Sequence, residues 1–382
     1  MLRFLTAGES HGPGLVAVVE GLPAGLDVDP DGIATELARR RMGFGRGRRM
    51  SIERDELEIL GGVRFGKTLG SPVSVLIRNT EWPKWEEEMS PSPGTAKRRM
   101  TTPRPGHADL AGMLKYDTKD ARDILERSSA RETAARTVAG YLAKRLLAAV
   151  DVAVVSHVVA IGSVDVPGDV RPGPDDQELV DRSPVRVLDE TAADAMVAEI
   201  EAAKADRDTL GGVVEVIAYG LPAGVGSHVH WDRRLDAMLA GALMSIQAIK
   251  AVEVGDGMET ARRRGSEAHD EIGYDDGFTR DTDRAGGVEG GMSTGQPVRV
   301  RAAMKPISTL MRPLRSVDVD SKEEDAAFRE RSDVCAVPAA GVVAEQMVAI
   351  TLATEMLGQF GGDTIGDFMS SVDAYRRRLA EY

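Results

Sequence analysis

The spacing of apolar and polar positions changes repeatedly along the chain, and each change marks an element. Short apolar runs at 2–6 and 15–20 flank a Gly/Pro turn and predict two strands. At 31–41 the period lengthens to that of a helix, with Asp29 or Asp31 as N-cap and Gly43 as stop. Strands are expected again at 51–60 and 73–78. Residues 120–150 give the clearest helix, because Ile124, Leu125, Ser128, Val138, Leu142 and Leu146 recur near a 3.6 period among many alanines. A β-branched strand follows at 151–161, then an acidic, Pro-rich surface excursion at 164–184 and an amphipathic helix at 190–204. A strand at 212–218, an apolar helix at 232–251, a strand at 298–303 and a buried helix at 341–357 complete the pattern. Residues 81–105 hold five prolines and two tryptophans and predict a long irregular loop, a kind that is often functional. Strands and helices mix without regular βαβ alternation, which agrees with an α+β fold.

One pentapeptide occurs twice. Gly21-Leu22-Pro23-Ala24-Gly25 returns as Gly220-Leu221-Pro222-Ala223-Gly224, each time after a β-branched run and before an aspartate-led helix. A duplicated strand–turn–helix unit explains this, and so does a common turn composition. No stretch rich in Gly, Ser or charge cuts the 382 residues into independent pieces, so one domain over 1–382 is expected.

Composition narrows the function classes. Net charge is −13, which disfavours general nucleic-acid binding, since a phosphate backbone rewards a broad basic field. The single cysteine, Cys335, cannot form an intramolecular disulfide and fits a reducing compartment. The N-terminus carries Glu9 and His11 too early for a signal peptide, and no uncharged apolar stretch reaches membrane-spanning length. A soluble cytoplasmic protein, bound to neither membrane nor nucleic acid, is expected.

Within that acidic chain, Arg39, Arg40, Arg41, Arg46, Arg48 and Arg49 crowd into eleven residues, interleaved with Gly43, Gly45 and Gly47. Glycines let a loop wrap a ligand closely, and guanidinium forks match phosphate and carboxylate oxygens. A compact anionic ligand is the functional reading, and a solvated basic loop the plain one. Of six histidines, His11 lies between a strand and a Gly/Pro turn, and His107 lies in Arg104-Pro105-Gly106-His107-Ala108-Asp109. A loop imidazole beside arginines and a phosphate is a natural acid or base. The glycines of 284–295, leading to Lys305-Pro306-Ile307-Ser308-Thr309, suggest a phosphate cradle or merely a Gly-rich connection.

Other motifs fall away. Gly43 to Gly47 lacks the spacing of a dinucleotide fingerprint. Gly8–Gly12 and Gly291–Gly295 match G-x-S-x-G, but no helix follows either serine, which removes the hydrolase elbow. His228, His230 and Asp232 look like a turn, and no metal site is expected. The alternative class is a non-catalytic binder of phosphorylated metabolites or nucleic acid.

Taken together, the segments resemble the chorismate synthase family over essentially the whole chain. The resemblance rests on Gly8 to Gly12, Arg104 to Asp109, Glu126-Arg127-Ser128-Ser129-Ala130-Arg131-Glu132-Thr133, and Ser245 to Lys250. It continues through Arg284 to Pro297, Lys305 to Thr309, and Arg331-Ser332-Asp333. Thr294 departs from the family pattern, where asparagine is commoner. The resemblance implies an α+β sandwich with a helical layer between antiparallel sheets, assembled as a homotetramer. It also implies anti-1,4-elimination of phosphate from 5-enolpyruvylshikimate 3-phosphate, with reduced FMN required despite no net redox change. His11 is then expected near the departing phosphate, His107 near the flavin pyrimidine ring, and Asp333, with flavin N5, at the C6 proton. Arg40, Arg46, Arg49 and Arg131 are expected to hold substrate. Arg127, Ser128, Ser129, Gln247, Ala248, Gly290, Lys305, Pro306, Ile307, Ser308, Thr309 and Arg331 match the family's FMN contacts. With no appended flavin reductase, reduced FMN is expected from an external reductant, with NADPH as the indirect source. The loop 81–105 and the arginine loop are candidate lids that shield flavin and substrate.

Overall fold

Alternating strands and short apolar runs pair into two main antiparallel sheets. The computed structural model describes residues 2–47, 55–168, 170–275, 277–330 and 332–382. The first sheet contains β1 (Arg3–Ala7), β2 (Gly14–Glu20), β3 (Glu56–Gly61) and β4 (Val73–Arg78), in the order β1-β2-β4-β3. Its register sets Leu15 opposite Ile77, Ala17 opposite Val75 and Val19 opposite Val73. All of these side chains are buried, so the period of two turns one apolar face inward. The second sheet contains β5 (Ala153–Ile161), β6 (Val164–Asp165), β7 (Gly212–Tyr219), β8 (Ile249–Val254) and β9 (Val298–Met304). Its order is β8-β9-β7-β5-β6, and Val214, Val216 and Ala218 face Ala302, Val300 and Val298 across the β7–β9 ladder.

Two long helices fill the space between the sheets. The longer helices of the described residues are α1 (Pro30–Arg41), α2 (Asp109–Tyr116), α3 (Arg122–Ser128), α4 (Thr133–Ala148), α5 (Glu190–Ala205), α6 (Leu235–Met244), α7 (Val337–Phe360) and α8 (Ile365–Ala380). The first sheet packs on α4, the second on α7, and the two helices pack on each other. The result is the expected α+β sandwich. Gly140 sets the closeness of the α4–α7 contact, since a Cβ there would lie 2.3 Å from Gln346 Cβ and 2.8 Å from its Cα. The 24-residue α7 is long and apolar enough to cross a membrane, but 94% of its apolar window is buried inside the fold. Its mid-helix Glu345 is fully buried and ion-paired to Arg39 and Lys144.

The repeated pentapeptide has a structural counterpart. Leaving out the short β6, each sheet places its first, second, fourth and third strands side by side in that order. Each copy of the pentapeptide follows the second strand. Thr68 Oγ1 donates to Pro23 O at 2.6 Å and accepts from Leu26 N at 3.0 Å. Ser293 Oγ donates to Pro222 O at 2.6 Å and accepts from Val225 N at 2.8 Å. The same buried hydroxyl pin at both turns favours duplication over coincidence. It also gives Ser293, the centre of one G-x-S-x-G match, a structural duty.

Several expected boundaries move. The 120–150 helix is two helices, because Ser129 turns to extended backbone and its hydroxyl accepts from Arg131 N. The 232–251 helix is shorter. Ala248 adopts φ +67°, and Ile249–Val254 leaves to pair with β9. The excursion at 164–184 carries a short helix, Gln177–Arg182. The sequence reading contained neither α2 nor α8, the latter opened by a Thr364/Asp367 capping box. Of the expected 51–60 strand, residues 51–54 lie outside the described residues.

Candidate active site

The break between α3 and α4, the turn after α6, and the ends of β2, β9 and α1 surround one cavity of about 2530 Å³. His11, His107, Asp333, Arg40, Arg46, Arg131, Ser128, Ser129, Gln247 and Ala248 line it, as does the whole run Lys305 to Thr309. Arg49 and Arg331 lie outside the described residues, as does Arg48.

Two expected flavin contacts are not on this cavity. Arg127 points the other way, donating to Gly8 O and Thr6 O at the mouth of a smaller hollow of about 420 Å³ that shares Gln247. Gly290 sits at the tip of the Val288–Glu289/Met292–Ser293 hairpin, which does not line the cavity. The arginine run is also divided. Arg39 is buried away from the cavity, with Nη1 2.6 Å from Glu36 and 2.7 Å from Glu345 and Nε 2.6 Å from Asp181. Helical geometry explains this, since successive side chains on α1 are splayed about 100° apart. Arg40 consequently reaches the cavity side, where its Nη1 meets Thr133 Oγ1 at 3.4 Å.

Asp333 is tied to the arginine loop. Its Oδ1 accepts from Gly47 N at 2.6 Å, and its Oδ2 lies 3.3 Å from Arg46 Nη1. Val334 N donates to Gly45 O, so segment 332–335 and the arginine loop form one wall. Arg131 is braced by Asp55 Oδ1 at 2.5 Å and by Asn79 Oδ1 at 3.0–3.1 Å. Lys305 donates to Gly106 O, and burial together with Lys250 lowers its pKa from the ordinary lysine value.

Each cavity imidazole rests on a carboxylate. His11 Nδ1 lies 2.8 Å from Glu126 Oε1, and Glu126 Oε2 accepts the His11 backbone N–H at 2.8 Å. His107 Nδ1 bonds Asp109 Oδ1, and Asp109 Oδ2 accepts from Arg104 Nε at 2.8 Å. Burial alone would raise both carboxyl pKa values, but their hydrogen bonds and neighbouring positive charges outweigh it. Asp109 is held down to about 2, and Glu126 is held below its usual range. From the 81–105 loop, Trp85 packs against His11 with ring centroids 4.1 Å apart and the planes tilted by 37°. Apart from the 3-10 turn Trp82–Lys84, this loop is without regular structure and contributes a side of the cavity.

Sequence reasoning assigned no role to Glu126, Asp109, Arg104, Arg122 or Trp85. The i, i+2 spacing of His107 and Asp109 was a usable signal. Glu126 is 115 residues from His11, and a single sequence holds no mark of that pairing.

The geometry and chemistry define an enzyme of the two-sheet α+β class, with cationic side chains and two imidazoles converging on a polyanion-sized hollow. The family model described as "Chorismate synthase" matches residues 2–357. The chain is 60% identical over 385 residues to the chorismate synthase of Acidothermus cellulolyticus, covering 98% of each, and 60% identical over 392 residues to that of Frankia alni, covering 99% of each. A solved structure entitled "Crystal Structure of Chorismate Synthase" superposes with TM-score 0.81 at 39% identity, covering 100% of this chain and 99% of that one. The chain belongs to the chorismate synthase family, lyases that form chorismate in the shikimate pathway.

Proposed function

We propose that the cavity binds reduced FMN together with 5-enolpyruvylshikimate 3-phosphate and carries out the anti-1,4-elimination of phosphate. The observation that carries this reading is the convergence of both imidazoles, Asp333, Arg40, Arg46, Arg131 and Lys305 on one hollow. Its volume of about 2530 Å³ far exceeds the ~300–1,000 Å³ typical of a site for one small ligand, as a flavin plus a substrate requires. Gln247 Oε1 is buried without a partner, and Ala248 holds a left-handed φ of +67°, features that fit a wall shaped for a flavin. When bound, reduced FMN supplies electron density to the reacting allylic system and leaves the reaction unchanged in redox state.

The chain's own residues then have separate duties. Arg40, Arg46 and Arg131, with Arg49, hold the substrate's phosphate and carboxylates by charge-assisted bonds. His11 donates a proton or hydrogen bond to the departing phosphate. His107 faces the flavin pyrimidine ring. Asp333 assists removal of the C6 proton, which requires the Arg46–Asp333 contact to loosen as substrate arrives. Ser128, Ser129, Gln247, Ala248 and Lys305 to Thr309, with Arg331, hold the cofactor. Arg127 and Gly290 join them only if flavin extends beyond the cavity or a second subunit presents them. The reading includes one functional unit over 1–382, a homotetramer, a cytoplasmic location, and a separate reductase that draws on NADPH.

Anaerobic incubation with photoreduced FMN and substrate tests the reading. Phosphate and chorismate should appear in equal amounts, His107→Ala should lose most turnover while still binding FMN, and light scattering should give a tetramer. No phosphate release from the wild type would leave only a binder, and wild-type single-cycle turnover in His107→Ala would remove His107 from the chemistry.

A further inference from the structure

The two cavity imidazoles share a support that neither motif reading nor the functional proposal assigns. In both, Nδ1 faces a buried carboxylate, and in both that carboxylate is gripped by an arginine. Arg122 Nη1 donates to Glu126 Oε1 at 2.7 Å. Arg104 donates to Asp109 through Nε at 2.8 Å and through Nη2 and its backbone N–H at 3.1 Å. The Glu126 side chain is 3% exposed, and that of Asp109 is 0% exposed.

We propose that Glu126 and Asp109 are positioning residues that fix His11 and His107 as Nδ1–H tautomers and so commit each Nε2 to the chemistry of the cavity. An ionised carboxylate only accepts hydrogen bonds, and a neutral imidazole has one donor and one acceptor nitrogen. A carboxylate at Nδ1 therefore places the proton there and leaves Nε2, on the opposite edge of the ring, to exchange protons elsewhere. Arg104 Nη2 lies 3.0 Å from His107 Nδ1 and 3.4 Å from its Nε2; a guanidinium only donates and a carboxylate only accepts, so the Nδ1 proton goes to Asp109 and Arg104 can donate only to the lone pair at Nε2. The hydrogen bonds from the histidines, and after them those from the arginines, lower both carboxyl pKa values against the effect of burial and keep the two groups ionised.

Orientation is fixed as tightly as protonation. Glu126 holds His11 at two points, ring and backbone, and Ser10 N donates to Glu126 O at 3.0 Å. Helix α3 therefore holds Gly8, Ser10 and His11, while Asn79 Nδ2 donates to the carbonyls of Glu9, Ser10 and Gly12. Trp85 covers the His11 ring, while Arg122 lies over Trp85 at 4.8 Å. The imidazole is bounded on one edge by Glu126 and packed against Trp85.

The inference rests on the proposed roles of the two histidines, and its test separates the two claims. The full chain, labelled with ¹⁵N-histidine and bound to oxidised FMN, is examined by long-range ¹H–¹⁵N spectra at alkaline pH. His11→Ala and His107→Ala assign the signals. The wild type should show Nδ1–H at both rings. Glu126→Ala should release His11 to the Nε2–H form favoured in water, and Asp109→Ala should do the same for His107. Each should lower kcat by roughly 10–100-fold, the usual scale for losing a group that orients a functional side chain, with KM within about twofold. Glu126→Gln keeps an acceptor and should recover most of the tautomer preference and rate. If Glu126→Ala fails to fold, Glu126→Leu fills the space and gives the same readout. Persistence of Nδ1–H at His11 without Glu126, or a tautomer change with unaltered kcat, would overturn the proposal. Wild-type turnover in His11→Ala would instead refute the proposed role of His11, with the tautomer result still standing.

Discussion

Glu345→Gln removes one charge from the middle of the helical layer and should be among the most damaging single-atom changes in the protein. The Glu345 side chain is fully buried, and its oxygens accept four hydrogen bonds from three residues. The donors are Arg39 Nη1 at 2.7 Å, Lys144 Nζ at 2.6 Å, Arg39 Nη2 at 3.1 Å and Ser156 Oγ at 2.8 Å. Arg186, itself buried and bonded to Asp181, lies 3.8 Å away. A glutamine offers one acceptor oxygen and places an NH₂ against donors. It leaves the buried Arg39 and Arg186 and the partly buried Lys144 compensated only by Glu36 and Asp181. Breaking a buried pair from one side costs about 3–5 kcal/mol. With roughly 2.1 cal/mol/K of unfolding entropy per residue, that corresponds to a fall in Tm of about 4–6 °C for a chain of this length. Urea unfolding followed by far-UV circular dichroism gives the free energy, and calorimetry gives Tm. A loss below about 1 kcal/mol would mean that the network does not hold α1, α4 and α7 together as argued.

Three further outcomes follow from the same geometry. Gly140→Ala should destabilise by roughly 1–3 kcal/mol, because the new methyl meets Gln346 backbone as well as side chain; a neutral urea midpoint would contradict the close α4–α7 approach. Asp109 is held at about 2 against 3.8 for a free carboxyl, so folding lowers its pKa. Its contribution of roughly 2 kcal/mol is therefore present above about pH 4 and lost as pH falls toward 2, and Asp109→Asn should flatten that part of the stability–pH curve relative to wild type. Arg46→Ala should weaken substrate binding by about 1.5–3 kcal/mol, or roughly 10–150-fold in Kd, with little change in fold; unchanged affinity by titration would remove the loop from the anion cradle.

Much of the architecture was legible because it rests on local period. The buried faces of β2 and β4 follow alternation, β7 and β9 are short apolar runs buried along most of their length, and α1 and α5 start and stop close to the expected positions. The errors occur where long-range contact overrides local preference. Residues 245–251 read as helix, but they are drawn out by the vacant edge of β9, at the expense of a left-handed Ala248. The alanine-rich 120–150 stretch hides a break that sets Ser128 and Ser129 on the cavity. Among the site residues, clusters close in sequence could be seen, including the arginine run and the Arg104–Asp109 motif. Pairings across more than a hundred residues, such as His11 with Glu126, could not. Nor could composition tell Arg39, locked in the core, from Arg40 on the cavity.

The central claim is that one hollow takes both cofactor and substrate, with each imidazole serving a different one. A crystal structure of the full chain soaked with oxidised FMN and 5-enolpyruvylshikimate 3-phosphate measures this most directly. The isoalloxazine should lie beside His107 against Lys305 to Thr309, with the substrate phosphate within hydrogen-bonding distance of His11 and its carboxylates on the arginines. A flavin bound outside this cavity, or a substrate phosphate far from His11, would contradict the account.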